Sequence, residues 1–346
     1  MKTLKSSLVL VIAALTLTAA ANDATYFTKG AQLIPLQESD IAIKSEVLTF
    51  TLTDDGYTTV DVLYEFNNTG AAKTVKMGFE AISPYNSGDE VRTDGVHPYI
   101  DRFTVEMNGK TLSYNNHLSP PINPDAPEED RSYYYIYAFD APFNHGINRV
   151  HHTYRFRDSN GVGRAFIIPY WLMPATRWKG EAIGDFTLNI QAPETAKHFV
   201  LPTGVFEGAE FKVTKGAGKV RTTNQWGDKY IEIALRNGAV QWHKTGFRPT
   251  DDFEITSADL LYAFNENASV GAFYDRSPSY IVRYDDKPLP KRIVRNMPYA
   301  NRGYVFKSRD LRDYFSKFFW YMPDPLYVPS TSDFTPREQR LLKELR

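Results

Sequence analysis

The chain has 346 residues, of which 42% are hydrophobic and 14% aromatic, and it contains no cysteine. A chain of this size and composition can bury more than one hydrophobic core. The lack of cysteine excludes a disulfide framework, a zinc–thiolate site and a cysteine nucleophile. The formal net charge is −1, but the charge is unevenly distributed along the chain.

The first 21 residues have the pattern of a secretory signal peptide. Lys2 and Lys5 precede an apolar run, and Ala19 and Ala21 place small residues in an A-x-A cleavage pattern. Cleavage after Ala21 would leave a mature chain that begins at Asn22. No later stretch approaches the roughly 18 apolar residues that a membrane span needs. The sequence therefore predicts a periplasmic or extracellular protein without a membrane span.

The next part of the chain, from Ile41 to about Thr256, shows the alternation of polar and apolar residues that predicts half-buried antiparallel strands. Turns are predicted at Asp54-Asp55-Gly56, Asn108-Gly109 and Asn237-Gly238, the last two as type I′ hairpin turns. The predicted fold class is mainly β, with one or two antiparallel β-sandwich units followed by a small C-terminal helical module.

The predicted β region is divided at position 193. Residues 22–192 are expected to form a β-sandwich region. Residues 193–275 are expected to form either a second β unit or a continuation of the first.

Three tyrosines form the most prominent aromatic pattern of the β region. Tyr133, Tyr135 and Tyr137 alternate along a predicted strand, so they lie on one face of it. Such a row could stack on sugars, and it could equally pack in the core or across strands. We keep these three residues as candidate ligand-binding residues and leave the core alternative open.

Other polar patterns of the β region give weaker signals. His151 and His152 are adjacent in a strand, so they point to opposite faces and cannot easily share one metal ion. The acidic loop around Asp125 lacks the regular spacing of a calcium loop. Gly109-Lys110-Thr111 imitates the end of a phosphate-binding loop, but a hairpin explains it better. The sequence predicts no metal site, no cofactor and no recognisable catalytic residue.

A basic, proline-rich stretch follows at residues 276–296, and we predict an extended linker there. Residues 276–346 contain 15 Lys and Arg against 8 Asp and Glu, a net charge of +7, which leaves −10 for residues 22–275. The basic tail could bind an anionic envelope polymer, or it could dock on the acidic body. The candidate ligand-binding cations are Lys287, Lys291, Arg292, Arg295 and Arg302.

Residues 297–346 are predicted to form a small helical domain. Ser308 is a suitable N-cap for a helix whose apolar side comprises Leu311, Tyr314, Phe315, Phe318 and Phe319. Thr335 and Glu338 can form a capping box at the start of a second helix. Gly303 is expected at a turn with positive φ or a close backbone approach.

The C-terminal stretch from Met297 resembles the YARHG domain, a small module of exported bacterial proteins. The signature is represented by Tyr299, Ala300, Asn301, Arg302 and Gly303, so Asn and Arg stand where the family has Arg and His. The stretch YWLMPATRWKGEAIGDFTLNI, residues 170–190, resembles more loosely the exported DUF4424 type. These resemblances imply an exported protein of a family without an established reaction.

Three hypotheses for the function follow. The first is a non-catalytic cell-envelope protein that binds a glycan, peptidoglycan or a protein partner. The second is a cell-wall or polysaccharide hydrolase with an Asp/Glu pair that sequence spacing does not reveal. The third is an envelope assembly or chaperone-like factor that offers a sheet edge to a partner. A nucleic-acid partner is not expected outside the cell, and the sequence leaves the oligomeric state open.

Overall fold

The structure is a computed structural model that describes residues 21–29, 32–36, 39–82, 91–161, 164–225, 228–257 and 291–345. Residues 1–20, which contain most of the predicted signal peptide, lie outside this part of the chain. Residues 276–290 of the predicted linker, with Lys287, also lie outside it.

The described residues are mainly in β-strands, which confirms the predicted fold class. In chain order the strands are β1 (Ala21–Lys29), β2 (Gln32–Leu36), β3 (Ile41–Leu52), β4 (Tyr57–Asn68), β5 (Lys73–Ile82), β6 (Ile100–Met107), β7 (Lys110–Thr111), β8 (Tyr114–Leu118), β9 (Tyr134–Phe143), β10 (Gly146–Arg157), β11 (Ser159–Gly161), β12 (Arg164–Tyr170), β13 (Ile183–Ala192), β14 (Lys197–Pro202), β15 (Lys212–Gln225), β16 (Asp228–Phe247) and β17 (Phe253–Ser257). Short 3₁₀ turns occur at Glu128–Asp130, Met173–Arg177 and Thr331–Asp333.

Within the described residues these strands form two sheets. The larger sheet has twelve strands in the order β11, β12, β17, β14, β16, β13, β3, β4, β10, β6 and β7, with β15 paired to β16. The smaller sheet has the order β2, β1, β5, β9 and β8. Side chains from both sheets share one buried cluster; for example, the Phe79 and Phe103 rings lie 5.1 Å apart. The two sheets therefore pack as a sandwich.

The larger sheet crosses the position at which the sequence suggested a division. β13 ends at Ala192, and it pairs with β3 on one side and with β16 on the other. The strand after the division, β14, pairs with the first half of β16. Strands from residues 22–192 and from residues 193–275 thus belong to one continuous sheet.

Two of the predicted turns are confirmed. Gly56 has a φ of +80° between β3 and β4, and Asn108 and Gly109 have φ values of +50° and +78° between β6 and β7. The Asn-Gly pair therefore adopts the two positive φ values that a type I′ hairpin requires.

The prediction of a hairpin turn at Asn237-Gly238 is wrong, because β16 continues without a break from Asp228 to Phe247. Asn237 has a φ of +43°, and it lies where the neighbour of β16 changes from β14 to β13. A Cβ atom on Gly216 of β15 would lie 1.9 Å from the Asn237 carbonyl oxygen. Gly216 and Gly238 therefore allow β15 and β16 to approach closely at an irregular pairing. The Asn-Gly sequence at this irregularity is the same as that of a hairpin turn.

The C-terminal module, residues 291–345, contains three helices: α1 (Lys291–Asn301), α2 (Arg309–Phe315) and α3 (Pro336–Glu344). Leu311 and Phe315 of α2 are buried in the module core. Tyr314, Phe318 and Phe319 of the predicted apolar side pack against this core, although α2 ends at Phe315. No helix within the described residues has the length and apolar character that crossing a membrane requires.

The first part of α1 corrects the prediction for the end of the linker. Residues 291–296 were expected to be extended, but they are helical. Ile293, Val294 and Met297 are buried along α1, and this helical spacing outweighs the helix-breaking tendency of Pro298 within the helix. Lys291, Arg292 and Arg295 are therefore helix residues of the module.

Candidate functional site

The structure places Tyr135 and Tyr137 in the core, with exposures of 1% and 3%. The Tyr135 hydroxyl accepts a hydrogen bond from the Arg92 backbone N–H at 3.0 Å. The Tyr137 hydroxyl accepts one from the His97 N–H at 3.1 Å. β9 lies inside the smaller sheet, between β5 and β8, and Tyr137 belongs to the buried cluster that both sheets share. The structure therefore supports the core alternative for Tyr135 and Tyr137. Tyr133 is partly exposed and lies just before β9 begins.

The adjacent histidines lie on opposite faces of β10, as the strand geometry predicts. His151 Nε2 lies 3.0 Å from Asp61 Oδ2 on the outer face, whereas His152 is fully buried among aromatic rings. Among the described residues, no group of three or more His, Cys, Asp or Glu side chains is arranged to hold a metal ion.

Arg302 is a structural residue of the C-terminal module. Its guanidinium donates to both carboxylate oxygens of Glu338, each at 2.8 Å, and to the Pro298 carbonyl oxygen at 3.1 Å. The side chains of Arg302 and Glu338 are only 5% and 6% exposed. This bidentate pair joins α1 to α3, so Arg302 is not available to bind an anionic polymer.

Glu338 has a second role at the start of α3. Its carboxylate accepts the Thr335 backbone N–H at 2.8 Å, and the Thr335 hydroxyl accepts the Glu338 N–H at 3.2 Å. The predicted capping box is thus confirmed. Thr335, Glu338 and Arg302 form one polar network that fixes the end of α1 and the beginning of α3.

The signature glycine lies where the module meets the larger sheet. Gly303 has a φ of +83°, which confirms the prediction of positive φ. A Cβ atom there would lie 2.6 Å from the Met322 carbonyl oxygen and 3.0 Å from Cζ of Arg236, a residue of β16. The absence of a side chain at Gly303 therefore lets the guanidinium of the sheet residue pack against the module backbone.

Several polar contacts attach the module to the larger sheet. The Ala196 N–H donates to the Asn301 carbonyl oxygen at 3.0 Å. Lys219 Nζ donates to the Tyr321 carbonyl oxygen at 2.9 Å. The junction also buries apolar surface, because Ala196 and Ala234 belong to the module's hydrophobic cluster. The module is therefore docked on β14, β15 and β16.

Cations of the sheet supply the charged contacts of this junction. Arg236 forms an ion pair with Asp324 of the module at 3.3 Å. The guanidinium of Arg221 lies 4.2 Å from the ring centre of Phe319, a cation–π contact. The module thus lies against the larger sheet, and the charged contacts described here use cations of the sheet rather than Lys291, Arg292 or Arg295.

A hydrogen-bonded carboxylate lies beside this contact. Glu232 accepts from His198 Nε2 at 2.7 Å and from Arg221 Nε at 2.5 Å. Burial would raise the pKa of Glu232, but the hydrogen bonds from His198 and Arg221 outweigh it and lower the pKa to about 2. The ionised Glu232 therefore orients Arg221 beneath Phe319.

A second polar cluster surrounds the buried Lys197, which is 1% exposed. Its ammonium lies 2.9 Å from Asp54 Oδ1. Burial opposes the ionisation of Asp54, but Lys197 and a hydrogen bond from Thr195 outweigh it, so the pKa of Asp54 is lowered. Burial raises the pKa of the neighbouring Asp158 to about 6, although Thr58 donates a hydrogen bond to it. Two nearby carboxylates thus differ in protonation at mildly acidic pH.

The remaining candidate cations in the described residues lie on the outside of the module. Lys291, Arg292 and Arg295 are exposed on α1, opposite the buried Ile293 and Val294. Arg292 donates to the Ser308 hydroxyl at 2.7 Å and lies 3.3 Å from Asp310. We call Lys291, Arg292 and Arg295 the basic face. None of the junction contacts described above involves it.

A cavity of about 330 Å³ lies at the junction between the sheet and the module. Its lining is mostly polar and comes from residues far apart in sequence. The lining residues are Glu194, Arg236, Asn237, Arg302, Asp324, Leu326, Tyr327, Val328 and Asp333. Apart from Arg302, these residues carry no sequence pattern that indicates a site, because only the fold brings them together.

Comparisons with solved structures show distant similarity. A protein of Legionella pneumophila subsp. pneumophila str. Philadelphia 1, provisionally described as nutrient binding, is 18% identical with a TM-score of 0.47, and the similarity covers 95% of this chain and 100% of that one. An M1 zinc metallopeptidase of Deinococcus radiodurans is 10% identical with a TM-score of 0.26, and the similarity covers 64% of this chain and 43% of that one. Similarities at this level carry no argument about function.

A search of curated proteins found no match to this chain. The looser resemblance of residues 170–190 to the DUF4424 type stays a prediction. Residues 274–346 match the YARHG domain, and this match begins upstream of the boundary predicted at position 297. The C-terminal region of the chain is therefore similar to the YARHG domain, as its residues predicted.

Proposed function

We propose that this protein is an exported, non-catalytic binding protein of the cell envelope, and that its basic face holds an anionic envelope polymer. The observation that carries the proposal is the separation of two sets of cations. Arg221, Arg236 and Arg302 are engaged in the junction or inside the module. The basic face is exposed on the opposite side of α1 from the module core.

Export is supported by the N-terminal sequence pattern and by the match to the YARHG domain. The N-terminal region has the charges, apolar run and small residues of a secretory signal peptide. The YARHG match agrees with this proposal, because the domain occurs in exported proteins.

The geometry of the basic face suits a polymer with repeated negative charge. Positions 291, 292 and 295 lie on one side of a helix because residues separated by three or four positions are neighbours there. The module is docked on the larger sheet and presents these charges from one face of α1. Binding between exposed charges is weakened by salt, so affinity for the polymer should fall steeply as ionic strength rises.

The test compares charge-reversed variants of the mature chain, residues 22–346. Lys291→Glu/Arg295→Glu changes the basic face, and Lys212→Glu/Lys215→Glu makes the same charge change at exposed positions of β15. Binding to isolated peptidoglycan and to acidic polysaccharide is measured across a salt series. We expect weakened binding only for the first variant. Equal binding by all three proteins would overturn the proposal.

Point variants are preferable to removal of the whole tail. A chain that ends near Asp275 would expose Ala196 and Ala234, which the module covers. Its loss of binding would therefore mix the loss of charges with damage to the sheet. The hydrolase and assembly-factor alternatives stay predictions. Hydrolysis of peptidoglycan by the purified protein, but not by an inactivated sample of it, would favour the hydrolase.

A further inference from the structure

The cavity at the junction has a chemical character that the basic face does not share. Its volume of about 330 Å³ is in the range of small-molecule sites, which is about 300–1,000 Å³. One wall comes from residues beside and within β16, and the other comes from the loop that follows Met322. The site therefore exists only while the module is docked.

Both arginines of the cavity are engaged with carboxylates of the protein. Arg236 forms an ion pair with Asp324 at 3.3 Å, and Arg302 donates a hydrogen bond to each carboxylate oxygen of Glu338. Two lining carboxylates, Glu194 and Asp333, form no ion pair within the described part of the chain, although Arg302 is close enough to act on Asp333 electrostatically. The cavity consequently has an excess of negative charge.

Asp333 is held in its ionised form. It accepts the Ser330 backbone N–H at 2.9 Å and the Tyr327 hydroxyl at 2.9 Å. The hydrogen bond from Ser330, followed by that from Tyr327, lowers the pKa of Asp333. These two hydrogen bonds fix the orientation of the carboxylate at the lining of the cavity.

The rim of the cavity is apolar. Leu326 and Val328 are 89% and 81% exposed, which is unusual for two large aliphatic side chains so close together. Their loop is anchored because the Asp324 N–H donates to the Gly303 carbonyl oxygen at 2.7 Å, and the Leu326 N–H donates to Asp324 Oδ1 at 3.0 Å. Pro323, Pro325 and Pro329 further restrict the loop. The apolar rim is thus built into the structure.

From this juxtaposition we infer that the cavity binds a primary ammonium group that carries an apolar side chain. The ammonium lies towards Glu194 and Asp333, and the apolar group contacts Leu326 and Val328. An anionic ligand would have to compete with the carboxylates of Asp324 and Glu338 that already face the two arginines. The same chemistry occurs in a small amino-acid derivative and at the amino terminus of a peptide.

The binding test uses L-leucinamide, which has the ammonium and the apolar group but no carboxylate. N-acetyl-L-leucinamide lacks the charge and is otherwise similar. Titration calorimetry of the mature chain with both compounds measures the role of the ammonium directly. We expect L-leucinamide to bind and the acetylated compound to bind at least about fivefold more weakly, the factor that corresponds to loss of one favourable surface charge contact. Equal affinities, or no binding of L-leucinamide, would overturn the inference.

Variants locate the site. Glu194→Gln should weaken binding of L-leucinamide by about fivefold, whereas Glu210→Gln, at another exposed position, should leave it unchanged. Leu326→Ser should also weaken it, in contrast to Ile147→Ser, which changes an exposed aliphatic residue of β10. Equal effects of the site and control variants would contradict the assignment to this cavity.

A peptide distinguishes the source of the ammonium. Tighter binding of the peptide amide Leu-Ala-Ala-NH₂ than of L-leucinamide indicates a peptide amino terminus, and equal binding indicates a small amine; both support the inference. Lys291→Glu/Arg295→Glu should leave these affinities unchanged. The inference of ligand binding in the cavity, which goes beyond the proposed function, can therefore fail separately from the proposal of polymer binding by the basic face.

Discussion

The two sides of the C-terminal module use cationic residues in opposite ways. On the side that faces α3 and the sheet, Arg302 is almost completely buried and bound to both oxygens of Glu338. On the outer side, Lys291 and Arg295 are exposed. All three are among the candidate ligand-binding cations that the sequence indicated. The difference teaches that burial and a matched partner, rather than membership in a basic stretch, decide whether a cation stabilises the fold or remains available to a ligand.

The junction gives a related lesson about net charge. The charge difference between tail and body left docking as one of two possibilities, and the charged contacts at the junction are made by Lys219, Arg221 and Arg236 of the sheet. They meet a carbonyl oxygen, an aromatic ring and a carboxylate of the module. Local pairing at a contact is stronger than attraction between distant net charges, which salt screens.

The largest effect on stability is expected at the buried side. Arg302→Ala leaves Glu338 buried without its partner, so we expect the free energy of unfolding to fall by about 3–5 kcal/mol. Chemical denaturation measures this change. Arg309→Ala is the control, because Arg309 pairs with Asp313 at an exposed surface and should contribute little. Similar stabilities of the two variants would show that the buried pair does not hold the module together.

The next effect depends on pH. The pKa of Asp158 is about 6 in the folded chain, against an ordinary value of 3.8. Between about pH 4 and 6 the unfolded chain has lost this proton while the folded chain retains it. The contribution of Asp158 to stability should therefore fall by up to about 3 kcal/mol as the pH rises through this window. Burial lowers the pKa of His97 from 6.5 to about 4, which acts in the opposite direction, so the Asp158 contribution is measured as a difference between variants.

Asp158→Asn should remove this contribution, because the amide does not titrate. Thermal unfolding at pH 4, 5, 6 and 7 measures the difference from the unchanged protein. Asp125→Asn, in an exposed loop, should preserve the original pH dependence. An unchanged profile in Asp158→Asn would refute the assignment of the titration to this carboxyl.

A somewhat smaller loss is expected at the signature glycine. Gly303→Ala places a Cβ in a positive-φ backbone and against Met322 and Arg236, so we expect a loss of about 2–3 kcal/mol. Gly180→Ala is a matched control, with a φ of +85° and no atom within 4 Å of the added Cβ. It should lose only about 1 kcal/mol for the backbone. Denaturation of both variants separates the cost of the conformation from the cost of the contact.

The smallest effect on stability is expected on the outer side. Lys291→Glu/Arg295→Glu should unfold like the unchanged protein, because both side chains are exposed. At low salt, however, its affinity for acidic polysaccharide should fall by about tenfold, since two weak surface contacts become repulsive. A large loss of stability would indicate that the basic face supports the fold instead.

Much of the fold could be predicted because its signals are local. Alternation along β3, β4 and β10 follows directly from the two faces of a strand, and the capping box at Thr335 and Glu338 spans only four residues. The Asn-Gly signal was less specific. It marks a hairpin at Asn108 but an irregular pairing within β16 at Asn237, because the choice depends on which strands lie beside it.

The sequence by itself determined the mainly β fold, the helical C-terminal module, and the resemblance of that module to the YARHG domain. Only the tertiary structure decided that Tyr135 and Tyr137 are core residues, that Arg302 is paired with Glu338, and that Arg236 meets Gly303. The physical reason is the range of the interactions. Strand alternation and helix capping act between near neighbours, whereas burial, ion pairing and the junction cavity depend on residues that are far apart in the chain and meet only after folding.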